Sequence, residues 1–358
     1  MNGTENSTMS ETTMFDNLKL RDAHAARPLT TALLYVAVAY LGGFALLVHA
    51  AWWSWPLGVL AVAHAMVIAA YLVHECAHNS LFVATDLNAA LGRALLWIAG
   101  ASYSDYDAIR YKHMRHHVDR ADVIAVDYRG LLRRHRALRD VVIALERLYV
   151  PAVDWLMHAL VIVLPFTDTR YRDQRARVAL NLVVRGALFA ALCLYSWQAC
   201  VGYLLAYSLF MIVLRLMDMH QHTFAVFFTL AQPRDGDRSA RPAFDKSYEQ
   251  RNTYSNPLGR SALANLLVLN FGFHNAHHAK PALPWYRLPT LDRQLRAADP
   301  HCAAEPFPPA FPCVDVLRNY RRYRVARVLN TDSDDPPHTD AAGVGFIGVL
   351  GVSFLTAI

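Results

Sequence analysis

Four long apolar runs constrain the fold of this chain most, because each is long enough to cross a lipid bilayer as a helix. They cover about residues 31–53, 57–73, 178–194 and 201–216. A helix rises 1.5 Å per residue, so about 17 to 25 apolar residues cross a hydrocarbon core of ~30 Å. The link within each pair of runs carries no charge, which predicts two tight hairpins. The sequence therefore predicts an all-α integral membrane fold with four transmembrane helices.

The overall composition agrees with this fold. Hydrophobic residues make up 54% of the chain and the mean hydropathy is +0.17, which are both high for a soluble protein. The formal net charge is +6, but the Arg residues lie beside the apolar runs. That position favours an anionic membrane surface over nucleic acid, so we expect membrane lipids and no nucleic acid as partners. The five cysteines show no CxxC spacing, which predicts reduced thiols.

Basic residues predict the orientation of the hairpins. Residues 79–178 contain fifteen Lys and Arg, whereas the two hairpin tips contain none. Because positively charged loops stay on the cytoplasmic side of a membrane, both tips should point outward. We therefore expect a multi-pass protein with both termini and every histidine cluster on the cytoplasmic side.

The chain divides into three predicted parts. Residues 1–28 are polar and rich in Thr, Ser and Asn, which predicts a disordered N-terminal tail. Residues 29–300 are predicted to form the membrane domain, with a cytosolic helical cap built from residues 79–177 and 218–300. Residues 301–358 are predicted to be a C-terminal tail with a short apolar end.

Two further apolar segments are predicted to lie at the membrane surface. Leu87 to Ala101 is too short to span and fits an amphipathic interfacial helix. Val141 to Phe166 is long enough to span, but it contains Glu146 and Asp154. Charges inside a crossing are costly, so we expect an interfacial segment here rather than a fifth crossing.

Eight of the seventeen histidines fall into three short clusters. Residues three or four positions apart share one face of a helix, so each cluster can direct its imidazoles to one place. A single such pair could be two core histidines bonded to the backbone. Three clusters at one predicted depth favour a metal centre, because so many buried imidazoles would otherwise leave nitrogens unsatisfied. The clusters are His74 and His78; His113, His116 and His117; and His274, His277 and His278.

A fourth polar element follows the fourth apolar run at the same predicted depth. It reads Asp218-Met-His220-Gln-His222. We expect His222 to be a ninth ligand, with Asp218 and His220 in the outer shell. Metal-bound imidazoles usually donate their other N–H to a carboxylate such as that of Asp218. The alternative is an interfacial polar patch without a role in metal binding.

The ligand types alone leave the metal open. His74-Glu75-Cys76-Ala77-His78 also fits the H-E-x-x-H signature of zinc proteases, with the Glu as general base. Such a site needs two His and one more ligand, so it would leave most of the other clustered histidines unused. Imidazole suits zinc, copper, iron and nickel alike. A metal-storage or transport protein is a further alternative.

The three clusters resemble the histidine boxes of the membrane fatty acid desaturase family, which includes lipid hydroxylases and carotenoid oxygenases. The resemblance covers roughly residues 35–295. It is supported by Asn79 after the first box, by Gln221-His222-Thr223 and by the segment Pro284 to Pro289 after the third box. It implies four crossings, a cytosolic cap, and two iron ions held by the box histidines and one further His.

The resemblance also implies the reaction. It implies a fatty acyl desaturase that uses O2 as co-substrate and acts on an acyl lipid or an acyl thioester. Electrons would come from an external donor of the ferredoxin or cytochrome b5 type, since no His-Pro-Gly-Gly segment of a fused cytochrome b5 domain is present. No catalytic residues beyond the metal ligands are implied. A lipid hydroxylase or carotenoid oxygenase stays open as the alternative.

Overall fold

The predicted all-α fold is confirmed by a computed structural model of the chain, which describes residues 19–224, 227–231, 245–297, 308–329 and 354–358. Two short strands, β1 (Asp122–Ile124) and β2 (Phe227–Thr229), pair in parallel, and short 3-10 turns cover Thr169–Gln174 and Trp285–Arg287. The helices are α1 (Ala26–His49), α2 (Ser54–Ala77), α3 (Thr85–Ile98), α4 (Tyr106–Asp119), α5 (Tyr128–Arg134), α6 (Arg136–Arg147), α7 (Ala152–Thr167), α8 (Arg175–Tyr195), α9 (Trp197–Asp218), α10 (Lys246–Arg251), α11 (Ala262–Leu266), α12 (His274–Ala279), α13 (Leu288–Ala297) and α14 (Cys313–Leu329).

Within the described residues, four helices are long and apolar enough to cross a membrane. They are α1, α2, α8 and α9, and the 3-10 turn Thr169–Gln174 extends α8 at its N-terminal end. Helix α2 packs against α1, α3 and α9, so other protein atoms bury 67% of its apolar stretch, compared with 11% for the span that contains α8. The first histidine box, at the end of α2, is therefore delivered into the interior of the protein.

The first hairpin turns earlier than the sequence predicted. Helix α1 ends at His49 and α2 begins at Ser54, whereas the predicted runs were 31–53 and 57–73. The difference arises at Pro56, which the sequence predicts to lie in the link. Proline is tolerated in the first turn of a helix, because the N–H that it lacks would have no partner there. Helix α2 therefore starts before the proline.

The second hairpin has a one-residue link and a disulfide. Ser196 alone separates α8 from α9, and its hydroxyl accepts a hydrogen bond from the Ala199 N–H at 3.2 Å. This link brings the Cα atoms of Cys193 and Cys200 to 5.5 Å, and the two residues are disulfide-bonded. The prediction of reduced thiols is wrong for this pair. Cys76 and Cys313 are free, as predicted, and Cys302 lies outside the described residues.

The segment Val141 to Phe166 is broken into α6 and α7, and the sixteen-residue α7 is shorter than the four long helices. The acidic residues of this segment are buried inside the protein. Arg215 of α9 donates to Glu146 at 2.7 Å and also to Asp154, and each of the three side chains is 1% exposed. Arg215 therefore compensates the charges of Glu146 and Asp154, the two residues from which an interfacial segment was predicted.

Both predicted tails contain ordered parts. Of the predicted N-terminal tail, residues 1–18 lie outside the described residues; among residues 19–28, the Arg21 N–H donates to the Leu81 carbonyl at 2.9 Å and Asp22 pairs with Arg287. In the predicted C-terminal tail, α14 packs against α6 and α9.

Candidate metal centre

The three histidine boxes lie on or at the ends of three helices, α2, α4 and α12, that bring them to one place. His74 is in the last turn of α2, and His78 is the residue that follows this helix. The chain then turns at Asn79, whose φ of 52° lies in the left-handed region that asparagine tolerates. Helix α4 carries the second box, and its N-cap is Asp105, whose side chain accepts the Ala108 N–H at 2.9 Å. The short helix α12 carries the third box.

The structure brings eight of the nine predicted ligands together in two adjoining groups. In each group, one ligand atom of every residue lies within 4.8 Å of those of the others. The groups are His74, His78, His113 and His277, and His116, His222, His274 and His278.

His117 lies between the two groups. Its Nε2 atom is 3.3 Å from that of His113 and 3.1 Å from that of His277, both in the first group. Its ring centroid is 4.3 Å from that of His278 in the second group. The nine side chains thus form one continuous cluster rather than two separate sites.

Most of the short contacts in the cluster join Nε2 atoms. The Nε2 atoms of His78 and His113 are 2.7 Å apart, and those of His222 and His274 are also 2.7 Å apart. A neutral imidazole carries a proton on one nitrogen and a lone pair on the other. Lone pairs that converge in this way suit a bound cation, for which neutral imidazole is a common ligand.

Outer contacts fix which nitrogen faces inward. The Nδ1 atom of His278 donates to Glu249 Oε1 at 2.8 Å, and that of His116 donates to the Ala121 carbonyl at 3.0 Å. The Nδ1 atom of His222 is 3.3 Å from the hydroxyl of Thr253. Such contacts hold the proton on Nδ1 and leave the Nε2 lone pair for a metal.

Two buried nitrogens test whether the cluster fits a metal. Among the described residues, no hydrogen-bond partner reaches the buried Nε2 atoms of His74 and His278. A buried polar atom left without a partner costs about 1–3 kcal/mol. A metal ion at the centre of each group would satisfy these nitrogens, so the donor set fits two metal ions.

Burial keeps the imidazoles outside the membrane helices neutral. Burial lowers the pKa of His116 to about 4 and holds the pKa of His113, His277 and His278 well below the usual value. These residues therefore carry no proton on the ligating nitrogen near pH 7, which is the state that binds a metal.

The outer-shell roles of Asp218 and His220 stay predictions. Asp218 ends α9 and lines a small cavity beside the cluster. The ring of His220 lies 6.2 Å from that of Phe311, and His220 belongs to neither group of ligands. A carboxylate that bonds a ligand histidine is Glu249 of α10, which the sequence pattern did not indicate. Glu249 is 29 residues from His278, and no spacing in the sequence connects the two.

Glu75 has structural contacts that the zinc-protease alternative does not explain. Its Oε2 atom accepts hydrogen bonds from the Ser80 hydroxyl at 2.6 Å and from the Trp285 N–H at 3.2 Å. A general base of a protease needs its carboxylate free to activate a metal-bound water. Here the carboxylate instead joins the first box to the segment that follows the third.

Comparison with known proteins agrees with the geometry. The model of the family described as fatty acid desaturase matches residues 50–305, which is well over half of the chain. This range contains the three boxes, His222 and Glu249. No curated protein matches the chain. With all nine clustered histidines inside the matched range, the chain belongs to the fatty acid desaturase family.

Proposed function

We propose that this protein is an oxygen-dependent fatty acyl desaturase whose nine clustered histidines hold two iron ions. The observation that carries the proposal is the pair of four-histidine groups in one buried cluster. Iron supplies the redox chemistry by which O2, with electrons from an external donor, oxidises an unactivated C–H bond. A donor of the ferredoxin or cytochrome b5 type and an acyl lipid or acyl thioester substrate complete the proposed reaction.

The two groups suggest how the ligands divide. One iron would be held by His74, His78, His113 and His277, and the other by His116, His222, His274 and His278. His117 faces the first group through its Nε2 atom and would complete that ligand set.

The protein around the ligands excludes water and fixes their orientation. His74, His274, His277 and His278 are each at most 3% exposed. Glu249 is 3% exposed and accepts hydrogen bonds from His278, from Arg120 at 3.1 Å and from Lys246 at 2.8 Å. A preorganised, dry site places the reacting methylene with little reorganisation during the reaction. Regioselectivity would then depend on where the acyl chain is held.

The proposed location follows from the charge distribution. The basic residues lie in the segments that carry the metal cluster, and the hairpin tips lack them. We propose that the cluster and both termini face the cytoplasm, where a reduced donor can reach them.

Product analysis tests the reaction. The iron-loaded protein, incubated with a saturated acyl substrate, a reductant and O2, should produce an unsaturated chain and contain about two irons per chain by elemental analysis. His277→Ala should lose iron and turnover, whereas the matched variant of an exposed residue, His135→Ala, should keep both. An alcohol as the sole product would instead make this protein a hydroxylase of the same family.

A further inference from the structure

The segment Phe354–Ile358 lies inside the protein beside the metal cluster, although it is far away in sequence. Leu355, Thr356 and Ala357 are each 0% exposed. The ring of Phe354 is 5.9 Å from the ring of His74 and 5.9 Å from that of His113. An apolar piece of the chain therefore contacts the ligands of the first group directly.

Polar contacts to the backbone hold this segment in place. The Lys112 ammonium donates to the Thr356 carbonyl at 2.6 Å, and the Asp105 N–H donates to the Ala357 carbonyl at 3.1 Å. The Ala357 N–H in turn donates to the Ser104 hydroxyl at 3.4 Å. Lys112 is in the same helix as the second box, so the segment is anchored to an element that carries metal ligands.

The space next to the cluster is too small for a substrate while the segment is there. The cavity bounded by Phe354, Phe271 and ligands of both groups measures about 70 Å³. Sites that take ligands of drug size measure about 300–1,000 Å³. A much larger apolar pocket of about 730 Å³ lies between α1, α3, α7, α8 and α9, but none of the nine histidines lines it. Neither of these two cavities, as it stands, brings a methylene of an acyl chain to the clustered histidines.

We propose that Phe354–Ile358 occupies the place of the acyl chain beside the metal centre, and that the substrate binds by displacing it. This inference rests on the proposed function, because it takes an apolar chain as the substrate. The segment has the properties of a substitute ligand: it is apolar, it is buried against the metal ligands, and no described helix or strand contains it.

Competition between the segment and the substrate has a measurable consequence. When only a fraction of the molecules has an open site, the apparent dissociation constant of the ligand rises by the inverse of that fraction. A variant that weakens the segment should bind an acyl chain more tightly, by about tenfold if it opens the site tenfold more often. The same variant should leave the iron content unchanged, since the segment contributes no ligand.

Thiol labelling measures the displacement without turnover. Thr356→Cys in the full chain should react slowly with a maleimide, and the fluorescent fatty acid cis-parinaric acid should accelerate the reaction at least severalfold. Peptide mapping supplies an internal control, because the partly exposed Cys313 should react at the same rate with or without the acid. Bound cis-parinaric acid with unchanged labelling at position 356 would overturn the proposal.

A pair of variants at one position provides a second test. Leu355→Asp places a charge in a fully buried position and should expel the segment, whereas Leu355→Met keeps an apolar side chain. The Asp variant should bind cis-parinaric acid about tenfold more tightly than the Met variant, at equal iron content. Phe354→Ala is the milder variant if Leu355→Asp does not fold, and it should tighten binding in the same direction.

The outcomes separate the two proposals. In one outcome, the wild-type protein desaturates its substrate while the variants leave the affinity for cis-parinaric acid unchanged and the acid leaves the labelling at position 356 unchanged. That result would retain the proposed function and reject the displaced segment. Displacement by an acyl chain without any oxidised product would retain the binding site and reject the desaturase. If neither the wild-type protein nor Leu355→Asp binds the fatty acid, the displaced segment is rejected, and product analysis with an acyl thioester decides the proposed function separately.

Discussion

At the scale of single residues, the cluster depends on groups that do not touch the metal. His278 shows this best, since its inward nitrogen is aligned by a bond to Glu249 on the opposite side of the ring. Glu249 is itself held by Arg120 and Lys246. Two cations beside one carboxylate hold it in place, so it can accept the imidazole N–H and strengthen the ligand.

Replacing Glu249 should therefore weaken metal binding. We expect Glu249→Ala to lower iron affinity or turnover about 10–100-fold, the range known for outer-shell carboxylates. Glu249→Gln should lose less, because the amide oxygen still accepts the hydrogen bond. Iron retained after dialysis against a weak chelator, together with turnover, measures the effect. Asp315→Asn, which alters an ion pair with Arg318 on α14, is the control and should behave as wild type. Wild-type iron retention in Glu249→Ala would contradict this role.

At the scale of helices, the two helices of the first hairpin approach each other closely. In the first, the Cβ of an alanine at Gly43 would lie 2.7 Å from the Val62 side chain, and one at Gly58 would lie 2.8 Å from the Gly43 carbonyl. Small residues allow such close approach in membranes, where packing rather than the hydrophobic effect drives association. The first hairpin is therefore held together by close packing.

Adjacent glycines of α1 provide a matched test of this packing. Gly43→Ala should destabilise the protein by about 1–3 kcal/mol, because the added methyl has no room. Gly42→Ala meets nothing within 4 Å and should stabilise it by about 0.5–1 kcal/mol through its higher helix propensity. Thermal unfolding of the purified protein in detergent should move in opposite directions for the two variants. Equal shifts of the unfolding temperature in the two variants would show that the close approach at Gly43 contributes nothing to stability.

The ion-pair cluster that joins α6, α7 and α9 should be essential to the cap. Arg215→Met leaves Glu146 and Asp154 buried without their cation, which costs about 3–5 kcal/mol. The exposed pair of Arg93 and Asp107 is the comparison, and Arg93→Met should cost about 1 kcal/mol or less. Unfolding midpoints of the two variants measure the difference. Similar midpoints would mean that Arg215 is dispensable.

At the scale of the whole molecule, local sequence patterns predicted the helices, but they did not predict the contacts between residues far apart in the sequence. Hydropathy located four crossings, and spacings of three and four residues predicted that the histidines of each box would share a helical face. The hairpin ends shifted because Pro56 starts a helix rather than a turn. No local pattern indicates the contact of Glu249 with His278, or that of Thr356 with Lys112, 244 residues earlier in the chain. Such contacts depend on tertiary packing, which no local period encodes.

The orientation of the molecule can be tested through two exposed positions on its opposite sides. Trp52 lies at the tip of the first hairpin and is 87% exposed, whereas Leu148 lies in the cap between α6 and α7 and is 73% exposed. Because the cap is basic and the tips are not, a membrane-impermeant maleimide should label Trp52→Cys in intact cells and leave Leu148→Cys unlabelled. Permeabilised cells should label both, which controls for reactivity. The disulfide at the other tip agrees with this orientation, since disulfides persist in oxidising compartments outside the cytoplasm. Labelling of Leu148→Cys in intact cells would place the metal cluster on the outer side, away from any cytoplasmic electron donor.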